Sequence, residues 1–371
     1  MNKIKSADKS RILWLDFARV IAIISISFNH SVNRAFATYD NQFEEFLSIS
    51  MWSTVFKTVV YIFSIIGVPL FLMISGSLLI KKDIDGPDGI KKFYKNNLLR
   101  LFITAEIWYL IFYLFFTVRG VISGQQTIGY FIKELFSTLL FVNQTTMNSM
   151  WYIPMILCIY LIIPFLCIVK NKVSFKTVFP SMLILYIVSF VVPSYNNITA
   201  LYGGRNACVE ESAVISSLYL LYVVLGYWIS RGGLNKLKNF TVISGAVVSF
   251  FLCCVVQYYA YSKKTDCHLD YDFLLIPVCT SLIFEAVRRF STKLSRLSRP
   301  IEYISKIAFG IYFVHIVVMT VLVKFASFKE LMPQPLYCLF LEAVSLVGSV
   351  IFIAVVSRIP LAKKYLFMIK D

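Results

Sequence analysis

The sequence predicts an all-α polytopic membrane protein with about ten transmembrane helices and both termini in the cytoplasm. The chain of 371 residues is 58% hydrophobic and only 15% charged, with a mean hydropathy of +0.74, whereas soluble domains are far more polar. Ten apolar runs are long enough to cross a bilayer. Lys and Arg are roughly three times as frequent on the predicted inner side as on the outer side, as the positive-inside rule requires.

The apolar runs follow one another along the chain, separated by polar connections. They lie at residues 12–30, 54–80, 100–118, 151–169, 177–194, 213–230, 239–260, 272–289, 304–325 and 336–357. A shorter apolar patch at 130–142 predicts a re-entrant or interfacial piece. The outer connections are too short for a soluble domain and no internal repeat is evident, so residues 1–371 are predicted to form a single membrane domain.

Charge and cysteine content exclude two other classes of function. The net charge of +16 would suit nucleic acid, but its distribution over the inner connections makes it topogenic, so the expected partner is the lipid bilayer and no nucleic acid. The eight cysteines form no zinc-spaced set, so no metal site is predicted. Cys208 and Cys267 both fall in outer connections, where they either form a disulfide or remain free thiols.

The first apolar run, RILWLDFARVIAIISISFNH (11–30), carries Asp16, Arg19 and His30. A helix turns about 100° per residue, which places Arg19 and His30 on one stripe about 16 Å apart along the axis. Asp16 lies one turn before Arg19 and can pair with it. Either the pair is structural and His30 is a boundary residue, or the stripe faces a functional cavity, since charge inside a membrane usually serves a function.

Two further stretches favour the functional interpretation. SKIAFGIYFVH (305–315) places His315 midway through the ninth predicted helix, and FLMISGSLL (71–79) offers Ser75 near the inner end of the second. The inner connection after the second helix is rich in cations, which suit either topogenic charge or a phosphorylated ligand. The cations proposed for the ligand are Lys91, Lys92, Lys95 and Arg100.

Aromatic residues and one outer loop supply candidates for an acceptor site. Trp151 and Tyr152 open the fourth predicted helix and serve either as interface aromatics or as a sugar platform. Trp52 and Trp108 are predicted to be interface aromatics. Arg205, in the polar loop YNNITALYGGRNACVEE (195–211), is a further candidate for contact with a glycan.

These stretches together resemble the acyltransferase-3 family of bacterial membrane acyltransferases. The resemblance covers most of the chain and rests on Arg19-x10-His30, FLMISGSLL, KKFYKNNLLRLF (91–102), MWYIPMILCIYLIIPFL (150–166) and SKIAFGIYFVH. Members of the family transfer an acyl group, usually acetyl from acetyl-CoA, to a hydroxyl of a cell-surface glycan. The resemblance implies a multi-pass enzyme of the bacterial cytoplasmic (inner) membrane, similar to the stand-alone branch that lacks an attached esterase-like domain.

The resemblance also implies the reactants and the roles of the site residues. The donor would be acetyl-CoA or another acyl-CoA with no permanently bound cofactor, and the acceptor a cell-surface or lipid-linked glycan. His30 would be the general base, grouped with His315 in the catalytic set. Arg19, oriented by Asp16, would fix the donor or stabilise charge on the carbonyl oxygen.

One position departs from the pattern of the family. Where members typically carry Arg-x-x-Arg, this chain reads NNLLR, with Asn97 at the first position and Arg100 at the second. If the pair binds the phosphates of coenzyme A, one of the three neighbouring lysines must replace the missing arginine. Two alternatives remain: an exporter of polysaccharide or small molecules without acyl-transfer chemistry, and a structural partner in a polysaccharide synthase complex.

Overall fold

The fold is all-helical across the residues that the computed structural model describes, which are 12–39, 41–84, 86–122, 127–139, 150–203, 211–264, 267–325 and 328–369. Over these ranges the chain forms α-helices, two π-helical segments and two 3₁₀ segments, and no strand. The α-helices are α1 Leu13–Ala35, α2 Gln42–Ser48, α3 Met51–Ile65, α4 Gly67–Leu79, α5 Gly86–Phe93, α6 Leu99–Ile122, α7 Ile128–Leu139, α8 Tyr152–Lys172, α9 Phe175–Tyr186, α10 Val192–Ala200, α11 Glu211–Ser230, α12 Asn239–Tyr261, α13 Leu275–Phe290, α14 Ser298–Phe325, α15 Gln334–Val356 and α16 Pro360–Tyr365.

The helices confirm a multi-pass membrane protein. Among the described residues, eight helical segments are long and apolar enough to span a bilayer. The predicted spans at 213–230 and 272–289 correspond to α11 and to the 16-residue α13, so the predicted count of ten and the orientation of the termini stay predictions. The short patch at 130–142 overlaps α7, a 12-residue helix that packs against α6.

Helix α1 lies at the centre of the bundle and contacts α3, α4, α14 and α15. Ala18, Ala22 and Ile23 on it are fully buried. It runs parallel to α14, because the contacts between the two helices follow the same order along α1 as along α14. Arg19 contacts Ser305, and eleven residues further along α1, His30 contacts His315. Parallel packing is what the predicted topology requires of the first and ninth spans.

The second predicted span, 54–80, is divided between α3 and α4 at Ile66. Pro69 explains the break, because it has no N–H to donate to the carbonyl four residues earlier and its ring crowds that position. Near the break, the hydroxyl of Ser25 on α1 donates to the carbonyls of Phe63 and Ser64, at 2.6 and 3.0 Å. The second span is thereby fixed to α1 at its bend.

The Ser75-Gly76-Ser77 motif joins α4 to α11. Gly76 faces the backbone of Val223, and Gly226 on α11 faces the backbone of Met73. Ser77 donates to the carbonyl of Gly226 at 2.8 Å. The backbones of the two helices therefore approach closely, which makes Gly76 and Ser77 packing residues between them.

We expect Gly76→Ala to destabilise the protein by about 1–3 kcal/mol, the range that is typical of overpacked sites. A methyl group at this position would overlap the carbonyl oxygen of Val223, and the backbone there cannot rotate away as a side chain could. The matched control is Gly129→Ala on α7, where an added methyl group meets nothing within 4 Å. Thermal unfolding of both variants in detergent measures the difference, and equal melting temperatures would contradict the tight contact.

Candidate active site

Two histidines from different helices meet at one end of the α1–α14 contact. The ring centroids of His30 and His315 are 5.3 Å apart. The Nδ1 atom of His315 lies 2.7 Å from the carbonyl oxygen of Ile311, and because a carbonyl only accepts, Nδ1 carries the proton. Nε2 then has a lone pair; this atom is buried and has no hydrogen-bond partner among the described residues. His30 is half-buried, so the pair joins an accessible imidazole to an enclosed one.

Arg34 adds a positive charge beside the histidine pair. One turn after His30 on α1, its Nη1 donates to the His30 carbonyl at 3.2 Å, and its Nη2 donates to the hydroxyl of Thr320 on α14 at 3.4 Å. Arg34 lies beyond the first predicted span, 12–30, and was not among the predicted site residues. Its spacing of four residues from His30 was the available signal.

At the other end of the contact, Asp16, Arg19 and Ser305 form a closed polar triangle. Arg19 Nη1 donates to Ser305 Oγ at 2.7 Å and to Asp16 Oδ1 at 3.2 Å, and Ser305 donates to the same Asp16 oxygen at 2.5 Å. The Asp16 side chain is 4% exposed and that of Arg19 is 25% exposed. The predicted pairing is thus present, and a residue from α14 completes it. Ser305 opens the same motif that ends in His315 but was not singled out.

The two polar groups are separated along the helix axis by about 16 Å. An arginine side chain cannot bridge that distance, so Arg19 does not reach a reacting atom placed at His30. Of the two roles considered for Arg19, fixing the donor fits this geometry and stabilising the carbonyl oxygen does not. Ser75 belongs to the Arg19 end, because the Tyr160 side chain on α8 lies close to both Ser75 and Arg19.

The three predicted lysines lie on α5 and on the π-helical segment that follows it. Lys91, Lys92 and Lys95 are all exposed. The cation beside Asn97 is instead Lys82, whose ammonium donates to the Asn97 side-chain oxygen at 2.9 Å.

Asn97 lies in the π-helical segment Tyr94–Leu98, and its amide also donates to the Phe93 carbonyl at 2.9 Å. Lys82 therefore supplies positive charge where the resemblance expects an arginine. The contact between Lys82 and Asn97 joins residues that are 15 positions apart, so the local sequence could not predict it.

Trp151 and Tyr152 belong to an aromatic series that ends at His315. Tyr152 lies 5.8 Å from Tyr312, and Tyr312 lies 6.5 Å from His315, measured between ring centroids. Trp151 lies 5.6 Å from Tyr271, in the segment before α13. The structure thus brings both predicted residues near the histidine end of the site, with Tyr271 and Tyr312 as further members.

Other predicted residues take different positions. Arg205 and Cys208 lie outside the described residues, and Cys267 is a free thiol near the Asn197 carbonyl. Trp108 is not an interface aromatic: it is 3% exposed and stacks on Phe313 of α14 with ring centroids 4.9 Å apart. The indole lies in the core because it packs against Phe313 of α14 and against Phe367 in the C-terminal segment.

A buried glutamate on α15 also lies next to the histidine end. Ser31, which follows His30, donates to Glu342 Oε2 at 2.8 Å. Glu342 is 4% exposed, and its second oxygen has no hydrogen-bond partner among the described residues. Glu342 was not among the predicted site residues, although an acidic residue within the apolar run 336–357 indicates a functional position.

A comparison with models of protein families identifies the family of the chain. A family model described as an acyltransferase domain, acyltransferase-3, matches residues 12–356, nearly the whole chain. The chain belongs to the acyltransferase-3 family. This membership makes it a membrane acyltransferase, and the matched range includes both ends of the α1–α14 contact. Searches of curated proteins and of solved structures returned no match.

In this acyltransferase, the segment before α13 carries Asp270, the residue that precedes Tyr271. Burial raises the pKa of Asp270 from about 3.8 to about 6, although the hydrogen bond from the Tyr271 N–H acts in the opposite direction. The folded protein therefore holds this proton more tightly than the unfolded chain does. Asp270 must lower stability as the pH rises from about 4 to about 6, with the full penalty present above that window.

We expect Asp270→Asn to remove this part of the pH dependence. The asparagine oxygen can still accept the Tyr271 N–H bond, which measures 2.7 Å, but the side chain no longer ionises. The melting temperature of the variant should exceed that of the wild type at pH 7.5 and approach it at pH 4.5. A constant difference at both pH values would show that ionisation of Asp270 does not limit stability.

Proposed function

We propose that this acyltransferase moves an acyl group, most simply acetyl, from acyl-CoA to a hydroxyl of a cell-surface or lipid-linked glycan. We place it in the bacterial cytoplasmic (inner) membrane, with the donor entering from the cytosol. The observation that carries the proposal is the His30–His315 pair, in which an accessible imidazole touches one whose Nε2 is unpartnered. A neutral imidazole is the usual general base for activating a hydroxyl at physiological pH.

The proposed reaction needs no covalent enzyme intermediate. His30 removes the proton from the acceptor hydroxyl as its oxygen attacks the thioester carbonyl. The carbon–sulfur bond then breaks, the thiolate of coenzyme A leaves, and the proton passes from the imidazole to that sulfur. The His315 Nε2 lone pair gives the histidine pair a second position at which this proton can be held. Arg34 lies close enough to offset negative charge at the same end.

Acyl transfer also requires that the acyl-CoA donor be held in position, and we assign this role to Arg19. Arg19 is held by Asp16 and Ser305, so its guanidinium is positioned before the donor binds. The long pantetheine arm of acyl-CoA suits an anchor that lies about three helical turns from the base. Fixing one end of a flexible donor increases the effective concentration of the thioester at the base.

The aromatic series beside His315 supports a glycan as the acceptor. Aromatic faces bind the apolar faces of sugar rings, and Trp151 and Tyr152 are half-buried rather than enclosed. We expect Trp151→Ala to raise KM for the glycan about tenfold or more, with kcat and KM for acyl-CoA nearly unchanged. The matched control is Trp52→Ala, since Trp52 is 80% exposed and lies outside the series. An equal effect of both substitutions would remove Trp151 from the acceptor site.

The experiment that tests the function compares surface glycans from cells with and without the gene by mass spectrometry. Loss of a constant mass, 42 Da for acetyl, from each modified repeat is the expected result. The purified protein should in parallel release thiol from acetyl-CoA when a glycan acceptor is added. Unchanged acylation together with reduced surface glycan would favour the exporter over the transferase.

A further inference from the structure

A basic cavity lies where the start of α6 meets the C-terminal segment. Its volume is about 630 Å³, within the range of small-ligand sites. Four of its lining residues are cations, and none of the described lining residues is acidic. The cations are Arg100, Arg358, Lys363 and Lys364.

Contacts with Trp108 of α6 hold the C-terminal segment, and with it the cations that it contributes to the cavity, in place. Phe367 is 1% exposed and its ring packs 6.3 Å from that of Trp108. The Trp108 indole N–H also donates to the Leu366 carbonyl at 2.9 Å. These contacts fix α16, which carries two of the cations, against α6.

Topogenic charge alone does not account for this arrangement. The positive-inside rule places Lys and Arg in inner connections, where they extend into water. Arg100 is instead half-buried, and its Nε is a buried donor with no hydrogen-bond partner among the described residues. A buried Nε donor without a partner, on a half-buried guanidinium beside three further cations, is unfavourable unless an anion completes the site.

We propose that this cavity binds a phosphate-bearing group and that the C-terminal segment supplies most of the cations that hold it. Arg and Lys are the side chains that best recognise phosphate. Arg358, Lys363 and Lys364 lie beyond residue 356, where the match to the family model ends. The group is either a phosphate of the acyl-CoA donor, in which case the inference rests on the proposed function, or the headgroup of an anionic lipid.

The test uses the purified full-length protein and a double variant, Arg358→Gln with Lys364→Gln. Both side chains are exposed, so the exchange should leave the fold intact, which a melting curve verifies. Free coenzyme A is titrated by calorimetry, and retention of phosphatidylglycerol against phosphatidylcholine is measured by native mass spectrometry. The control is Lys172→Gln with Lys236→Gln, which removes two exposed inner cations elsewhere.

We expect the double variant to weaken binding of one of the two probes by about tenfold or more, as loss of charged hydrogen-bond donors implies. The control should stay within about twofold of the wild type. Weakened binding of phosphatidylglycerol alone supports the cavity with a lipid as its ligand. Wild-type affinity of the double variant for both probes, or no binding of either probe to the wild type, overturns the inference. Failure of the proposed function would show separately, as unchanged acylation of the glycan.

Discussion

Acyl transfer should fall by about 10²- to 10⁴-fold when His30 is replaced by alanine, the range that a positioned general base contributes. The substitution removes the accessible imidazole of the pair and leaves His315 enclosed, with its Nδ1 still bonded to the Ile311 carbonyl. The side chain of His30 is only half-buried, so the packing of α1 should survive its truncation. Mass spectrometry of the surface glycan and thiol release from acetyl-CoA measure the effect.

A matched substitution distinguishes loss of the base from general damage. His268→Ala removes the histidine of the segment before α13, which contacts Tyr39 and belongs to neither α1 nor α14. That variant should keep its activity, and both should show melting temperatures near that of the wild type. Full acylation of the glycan in cells that carry only the His30→Ala protein would disprove the assignment of His30 as the base.

Replacing Arg19 by lysine should raise KM for acyl-CoA by about 10- to 100-fold with a smaller change in kcat. A lysine keeps the charge but loses the planar fork, and with it the geometry that holds both Asp16 and Ser305. Loss of a charged hydrogen bond is worth about 1.5–3 kcal/mol, which corresponds to this range. Ser305→Ala should produce a weaker form of the same effect, because it removes one of the partners that position Arg19.

Steady-state kinetics with the acyl-CoA concentration varied separates the two roles considered for Arg19. Arg231→Lys, an exposed arginine after α11, serves as the control and should behave like the wild type. If Arg19→Lys instead lowers kcat as far as His30→Ala does and leaves KM for the donor unchanged, then Arg19 acts at the reacting carbonyl. That result would require α1 to bend so that its two polar groups converge.

The sequence alone predicted the class of fold and drew attention to residues that the structure places along the contact of α1 with α14. Periodicity along one helix placed Arg19 and His30 on one stripe, and His315 stood out because imidazoles are rare in this chain. The contacts of Ser305, Lys82 and Tyr271 could not be predicted, because each joins segments that are distant in the sequence. Their partners depend on how the helices pack, and no local spacing encodes that packing.

Helix boundaries were predicted least well where the backbone departs from regular α-helix. The break at Ile66 follows from Pro69, a signal that the hydropathy pattern hides. The π-helical segment Ile187–Val191 interrupts the span predicted at 177–194, and the segment Tyr94–Leu98 lies before the span predicted at 100–118. Trp108 was assigned to the interface from its residue type, whereas its burial depends on the C-terminal segment that packs against α6.

Each of the two polar groups joins a residue of α1 to a residue of α14. Both groups therefore depend on the same alignment of the two helices. Each residue of a helix advances the chain by about 1.5 Å and turns it by about 100°. Inserting one residue between Ser305 and His315 would therefore swing the second imidazole well away from the first while leaving the Arg19 triangle in place. A slide of one helix along the other would separate both groups at once. The donor anchor and the histidine pair both lie on α1 and α14 rather than on loops. The packing of these two helices therefore fixes the distance that any acyl donor must span.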